Sequence, residues 1–132
     1  MNVIPMNTCI IGIGSNMDPE VNMARLLDIL KKETSLLKVS SLVTTKPIGI
    51  TDQPDFVNGA AKLETEFSMD EFRQYLKKLE DRLGRDRSQP KFGPRTIDLD
   101  IVVWNGQIID EDYHTRDFLR AAVAELGFAS SD

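Results

Sequence analysis

Hydrophobic positions along this chain switch between a period of two and a period near 3.6, and the switches mark its elements. Thr8–Ile13 (TCIIGI) is a continuous apolar run and reads as a buried strand, which Gly14-Ser15-Asn16 turns out of. Asp18 can cap a helix whose first position is Pro19, where the missing N–H is harmless. Val21, Leu26, Leu27 and Leu30 then recur at helical spacing, up to about Glu33. Leu36–Thr45 is rich in β-branched residues and is expected to form a second strand. Lys46–Asp55 holds two prolines and a glycine and reads as a loop, followed by a third strand over Phe56–Thr65. Ser68 and Glu71 make a capping box ahead of a stripe of Phe72, Tyr75, Leu76, Leu79 and Leu83, with Gly84 as the stop signal. Arg85–Arg95 is a loop, and Thr96–Trp104 is the clearest strand. Asn105-Gly106 is a two-residue hairpin turn into Gln107–Ile109. A last helix is expected over Thr115–Leu126, with Phe118, Leu119, Ala122, Val123 and Leu126 on one side. Phe128–Asp132 is expected to fray.

The order is β-α-β-β-α-β with an added hairpin strand. That is an α+β, ferredoxin-like arrangement, an antiparallel sheet with helices packed on one face. The 132 residues fit one domain, 1–132, and a hydrophobic content of 41% can fill one core. Such a fold hosts many functions and decides none of them. No apolar run approaches the ~18 residues of a membrane span. Met1–Asn7 lacks the basic and apolar regions of a secretory leader. Cys9 is the only cysteine, which excludes an internal disulfide and a multi-cysteine zinc site. A cytoplasmic protein that binds no membrane is expected, with a monomer favoured.

Charge changes this picture locally. The chain carries net −5, a poor match for long nucleic-acid tracts. Yet Arg82–Arg95 holds five bases and one acid, so that window is net +4 and the remainder net −9. A basic loop on an acidic body suits a compact anion such as a nucleotide phosphate; a solvated charged loop is the plainer alternative.

Asp98 and Asp100 follow that loop directly. Residues i and i+2 of a strand face one side, roughly 6.5–7 Å apart. Paired carboxylates of this kind suit Mg²⁺, which takes one or two of them and completes its octahedron with water and phosphate oxygens. A bare D-x-D also occurs on solvated strand faces, so the neighbours decide. Arg85, Arg87, Lys91 and Arg95 lie just upstream, and arginine forks bind phosphate oxygens in pairs. Acids for a metal beside bases for phosphate are what phosphoryl transfer requires. There is no G-x-x-x-x-G-K loop, so a nucleotide site here is of another type. Phe56, Asn58, Phe92 and Phe118 could sandwich a flat heterocycle and read its edge, or could be plain core residues. His114, the one histidine, is a candidate phosphate contact or an ordinary surface residue.

Read together, GIGSN (Gly12–Asn16), TTKPIG (Thr44–Gly49), DQPDFVN (Asp52–Asn58), LEDRLGRDR (Leu79–Arg87) and FGPRTIDLDI (Phe92–Ile101) resemble the hydroxymethyldihydropterin pyrophosphokinase family over about Cys9–Asp110. The resemblance implies transfer of the terminal pyrophosphate of ATP to 6-hydroxymethyl-7,8-dihydropterin with release of AMP, using two Mg²⁺ ions. It implies Asp98 and Asp100 as metal ligands and Arg85 and Arg87 as mobile catalytic-loop arginines. It puts Glu80, Lys91, Arg95, His114 and Arg116 on the ATP side, and Thr45, Ile48, Phe56, Asn58, Phe92 and Phe118 around the pterin. The chain departs from the family where Lys46 replaces a proline, where Glu111–Thr115 replaces a longer stretch, and in lacking the usual C-terminal extension. Three other readings stay open: a pterin-binding relative without transfer activity, a pyrophosphokinase for another hydroxymethyl heterocycle, and an RNA-binding module. The last needs exposed aromatics on central strands, where this chain has Asp98 and Asp100.

Overall fold

The computed structural model describes residues 5–128. Ten elements follow in order: β1 (Asn7–Ser15), α1 (Pro19–Glu33), β2 (Ser35–Val39), β3 (Val43–Thr45), β4 (Phe56–Thr65), α2 (Met69–Arg82), β5 (Asp98–Trp104), β6 (Gln107–Ile108), α3 (Asp112–Thr115) and α4 (Asp117–Glu125). The strands form one antiparallel sheet in the order β2-β4-β1-β5-β6, with β3 also paired to β4. This is the expected α+β ferredoxin-like order with its added hairpin strand. Of Phe128–Asp132, expected to fray, Phe128 packs against Tyr113 and the core beneath α4, and 129–132 lie outside the described residues.

The expectation of helices on one face is corrected. Helices α1 and α2 bury Met23, Leu26, Leu30, Phe72, Leu76 and Leu79 against Cys9, Ile11, Ile13, Leu63, Leu99 and Ile101. Helices α3 and α4 cover the opposite face, packing Tyr113, Leu119, Ala122 and Val123 on Ile10, Ala60, Val102 and Val103. Both faces of β1 and β5 carry apolar side chains, so the sheet needs a cover on each side.

Local chemistry explains the other differences. Asp18 has left-handed backbone (φ 44°, ψ 53°) and makes no side-chain cap. Instead the Asn22 amide donates to the Met17 carbonyl. The buried stripe of α1 is therefore Asn22, Met23, Leu26 and Leu30, while Val21 is 58% exposed. The capping box of α2 forms as expected, with Ser68 N–H on Glu71 Oε1 at 3.0 Å and Glu71 N–H on Ser68 Oγ at 3.2 Å. Gly84 follows that helix with φ +87°, a conformation that favours glycine. The expected strand over Leu36–Thr45 breaks into two after Val39: the Ser40 N–H still donates to the Ala60 carbonyl at 2.9 Å, but the Ala60 N–H donates to the buried Ser40 hydroxyl at 2.8 Å. The expected last helix is α4, and the extended backbone of Arg116 (φ −118°, ψ 108°) separates it from α3, a short helix ahead of the expected range. Among the described residues no helix is long and apolar enough to cross a membrane.

Candidate active site

Strand alternation builds the floor of a cleft. Leu99 and Ile101 point into the α1–α2 core, which sends Asp98 and Asp100 to the other face. Across β1, Gly14 stands opposite Asp98 and Gly12 opposite Asp100. These glycines leave room above the sheet that larger residues would fill. A Cβ at Gly14 would sit 2.7 Å from Asn58 Oδ1. Asn58 in turn donates to the Thr45 hydroxyl at 2.6 Å. Gly14→Ala is thus expected to push Asn58 off Thr45 and to raise the KM of a heterocycle bound there about tenfold. That loss corresponds to one hydrogen-bonded edge; steady-state kinetics with the second substrate saturating would measure it.

Two cavities meet over these aspartates. One, about 330 Å³, brings together all six residues expected around a flat ligand: Thr45, Ile48, Phe56, Asn58, Phe92 and Phe118. Lys91, Arg95 and Arg116 line the same space. The other, about 550 Å³, runs along α2 and β5 past Glu80, Arg87 and Asp100. Arg85, Asp98 and Asp112 belong to both.

Beneath the junction Glu80, expected on the ATP side, anchors an arginine web. Glu80 is 3% exposed and its carboxylate is fully engaged. One oxygen accepts from Arg85 and from the Leu99 N–H (2.9 Å), and the other accepts from Arg87 at 3.1 Å. Glu80 thereby holds two arginines side by side and pins the backbone midway between Asp98 and Asp100. A second carboxylate reaches Arg85, that of Asp98 at 3.3 Å. Arg85 Nε is buried without a hydrogen-bond partner among the described residues. His114, also expected on the ATP side, lies elsewhere. It stands outside both cavities, with its ring edge-on to Tyr113 and its carbonyl accepting from Arg120 at 2.7 Å. Consecutive residues of the short α3 point apart, so burying Tyr113 turns His114 outward.

Asn16 and Gln53 carry a role that the sequence left unassigned. Asn16 is 2% exposed at the end of β1. Its amide donates to Gln53 Oε1 (2.8 Å) and to the Pro54 carbonyl (2.9 Å), and its Oδ1 accepts from the Arg95 N–H (2.8 Å). Its own N–H donates to the Arg95 carbonyl at 3.0 Å. Gln53 continues the chain of bonds to the Phe92 carbonyl at 2.6 Å. The loop before β4 and the basic loop before β5 are joined through these two amides. Both lie inside motifs that carry the resemblance, GIGSN and DQPDFVN, which was the available signal.

The carboxylates repel one another. Burial pushes the Asp100 carboxyl up to about 7, with Asp98, Asp110 and Glu80 adding to the rise and Arg85 opposing it. Asp100 does open onto the cleft, so water tempers this repulsion. Burial also raises Asp110, against the Asp112 N–H that its carboxylate accepts at 3.0 Å. Among the described residues no group of three or more His, Cys, Asp or Glu is spaced to hold a metal. The donor set is a carboxylate pair, which falls short of a cage and suits Mg²⁺ that keeps water and phosphate oxygens.

An α+β domain with a carboxylate pair between an aromatic pocket and an arginine web has the layout that phosphoryl transfer without a P-loop requires. The model of the 7,8-dihydro-6-hydroxymethylpterin-pyrophosphokinase (HPPK) family matches residues 10–127. The chain is 36% identical over 132 aligned positions to the 2-amino-4-hydroxy-6-hydroxymethyldihydropteridine pyrophosphokinase of Haemophilus influenzae, covering 92% of this chain and 82% of that protein. It is 38% identical over 103 positions to the protein of the same description from Pseudomonas aeruginosa, covering 76% of this chain and 63% of that one. It is also 34% identical over 105 positions to the folate synthesis bifunctional protein of Arabidopsis thaliana, covering 78% of this chain and 22% of that protein. The chain belongs to the HPPK family.

Proposed function

We propose that the chain transfers the terminal pyrophosphate of ATP to the hydroxymethyl group of 6-hydroxymethyl-7,8-dihydropterin and releases AMP. The observation that carries this reading is that the aromatic cavity and the arginine-lined cavity meet at Asp98, within the segment shared with the family. The pterin stacks between Phe56 and Phe118, and Asn58 and Thr45 read its edge. Arg95, Lys91 and Arg116 hold phosphate on the same side. The substrate hydroxyl oxygen gives its proton to solvent and bonds to the β-phosphorus as the bond from that phosphorus to the α-phosphate oxygen breaks, so AMP leaves. Arg85 and Arg87 neutralise charge on the transferring group. Asp98 and Asp100 would hold two Mg²⁺ ions, which supply Lewis-acid stabilisation and lower the hydroxyl's pKa. A cytoplasmic monomer accords with this reading; Cys9, the one cysteine, is a buried thiol whose pKa burial pushes up to about 12.

Pterin-dependent formation of AMP from ATP, with Mg²⁺ present, tests the proposal. Pterin binding without AMP from folded protein would instead identify a relative that has lost transfer.

Asp100 gives the pH dependence. Its proton must leave before it can ligate a cation, so Mg²⁺ affinity is expected to rise with pH up to about 7 and level off above. The sign for stability is opposite. Between about pH 4 and 7 the folded chain binds more protons than the unfolded one, so this group lowers stability as pH rises through that window. Calorimetric titration with Mg²⁺ in buffers of different ionisation enthalpy would count the released proton, and affinity unchanged from pH 5.5 to 8 would contradict the assignment.

A further inference from the structure

Arg116, placed above as a phosphate contact, already has a weak carboxylate partner. Its guanidinium lies 3.6 Å from the carboxylate of Asp112, one turn earlier in the chain. Both side chains line the 330 Å³ cavity together with Asp98 and Phe118. The pairing follows from the break at residue 116: the Arg116 N–H closes the last turn of α3 on the Asp112 carbonyl at 3.0 Å, and the extended backbone then starts α4. This compact turn stands where the sequence departs from the family, over Glu111–Thr115.

The Asp112 side chain has no visible structural duty. Among the described residues its carboxylate forms one ion pair, with Arg116, and accepts no hydrogen bond; α3 is not capped by it. It adds negative charge to a cleft that already holds Asp98, Asp100 and Asp110. An exposed pair of this separation and i,i+4 spacing is weak. A phosphate offers more charge and a bidentate fit to the same fork. The exchange therefore favours phosphate, but at a reduced affinity.

We propose that Asp112 is an affinity-determining residue of the nucleotide side, a built-in competitor that holds Arg116 and yields it to the phosphate chain of ATP. This rests on the reading of Arg116 as a phosphate contact. Asp112→Asn removes the competing charge and keeps the shape.

The test measures dissociation constants of a non-hydrolysable ATP analogue and, separately, of the pterin, by calorimetry, for the native chain, Asp112→Asn, Arg116→Ala and the double variant, each with and without Mg²⁺. Asp112→Asn is expected to tighten the analogue about three- to fivefold with and without Mg²⁺, and to leave pterin affinity unchanged. In the Arg116→Ala background the gain should vanish. An unchanged constant in Asp112→Asn, or the same gain without Arg116, overturns the proposal. Weaker binding that appears only with Mg²⁺ also overturns it and makes Asp112 a metal ligand. If Arg116→Ala itself fails to weaken the analogue, it is the underlying reading of Arg116 that fails.

Discussion

Asp98→Ala is expected to lower the rate of AMP formation by about 10³-fold, the scale of losing several kcal/mol of charge stabilisation at a transferring phosphoryl group. Asp98 lines both cavities and pairs with the Arg85 guanidinium, so its loss removes a carboxylate from the point where they meet. The fold should survive, because the side chain is 43% exposed and its ion pair with Arg85 is one of two. A second readout separates chemistry from collapse. Asp98 is one of the groups holding the Asp100 carboxyl up, so its removal should lower the Asp100 titration from about 7. Single-turnover kinetics, a thermal melt and carboxyl-resolved NMR titration would follow all three. Turnover within tenfold of the native chain would remove Asp98 from the metal site.

Glu80→Ala is expected to give the largest loss of stability, about 3–5 kcal/mol, as found when one partner of a buried ion pair is deleted. Arg85, 14% exposed, would keep its charge with only Asp98 to balance it, and the Leu99 N–H would lose its acceptor. Arg87 adds little to this cost, since it is 43% exposed and water can solvate it. Chemical denaturation would measure the loss, and Glu80→Gln should recover part of it by restoring the acceptor without the charge. An alanine variant as stable as the native chain would show that the web is not structural.

Legibility followed periodicity and motif. The capping box, the Gly84 stop and the Asp98–Asp100 alternation depend on residues near one another in sequence, and all were readable. The six aromatic-pocket residues came together because the motifs that contain them are matched as blocks. What escaped was set by contacts over long separations. Nothing local marks Ser40 as the residue whose hydroxyl takes the Ala60 N–H, twenty residues on, where the strand breaks. The second helical layer follows from apolar side chains on both faces of β1 and β5, a pattern that a continuous strand run conceals. The three donors on Glu80 come from two other segments, so its structural part could not be read from its own neighbours in sequence. The outward turn of His114 follows from the burial of Tyr113 beside it.

Asn16 has a consequence for anyone who would recombine this chain with its relatives. The loop before β4 and the loop before β5 are separated by some forty residues, yet both are gauged from one side chain at the end of β1. A graft that exchanges either loop alone would be set against a reference cut for the other. The transferable unit is the trio of Gly12–Asn16, Lys46–Asp55 and Arg85–Arg95, moved together or not at all.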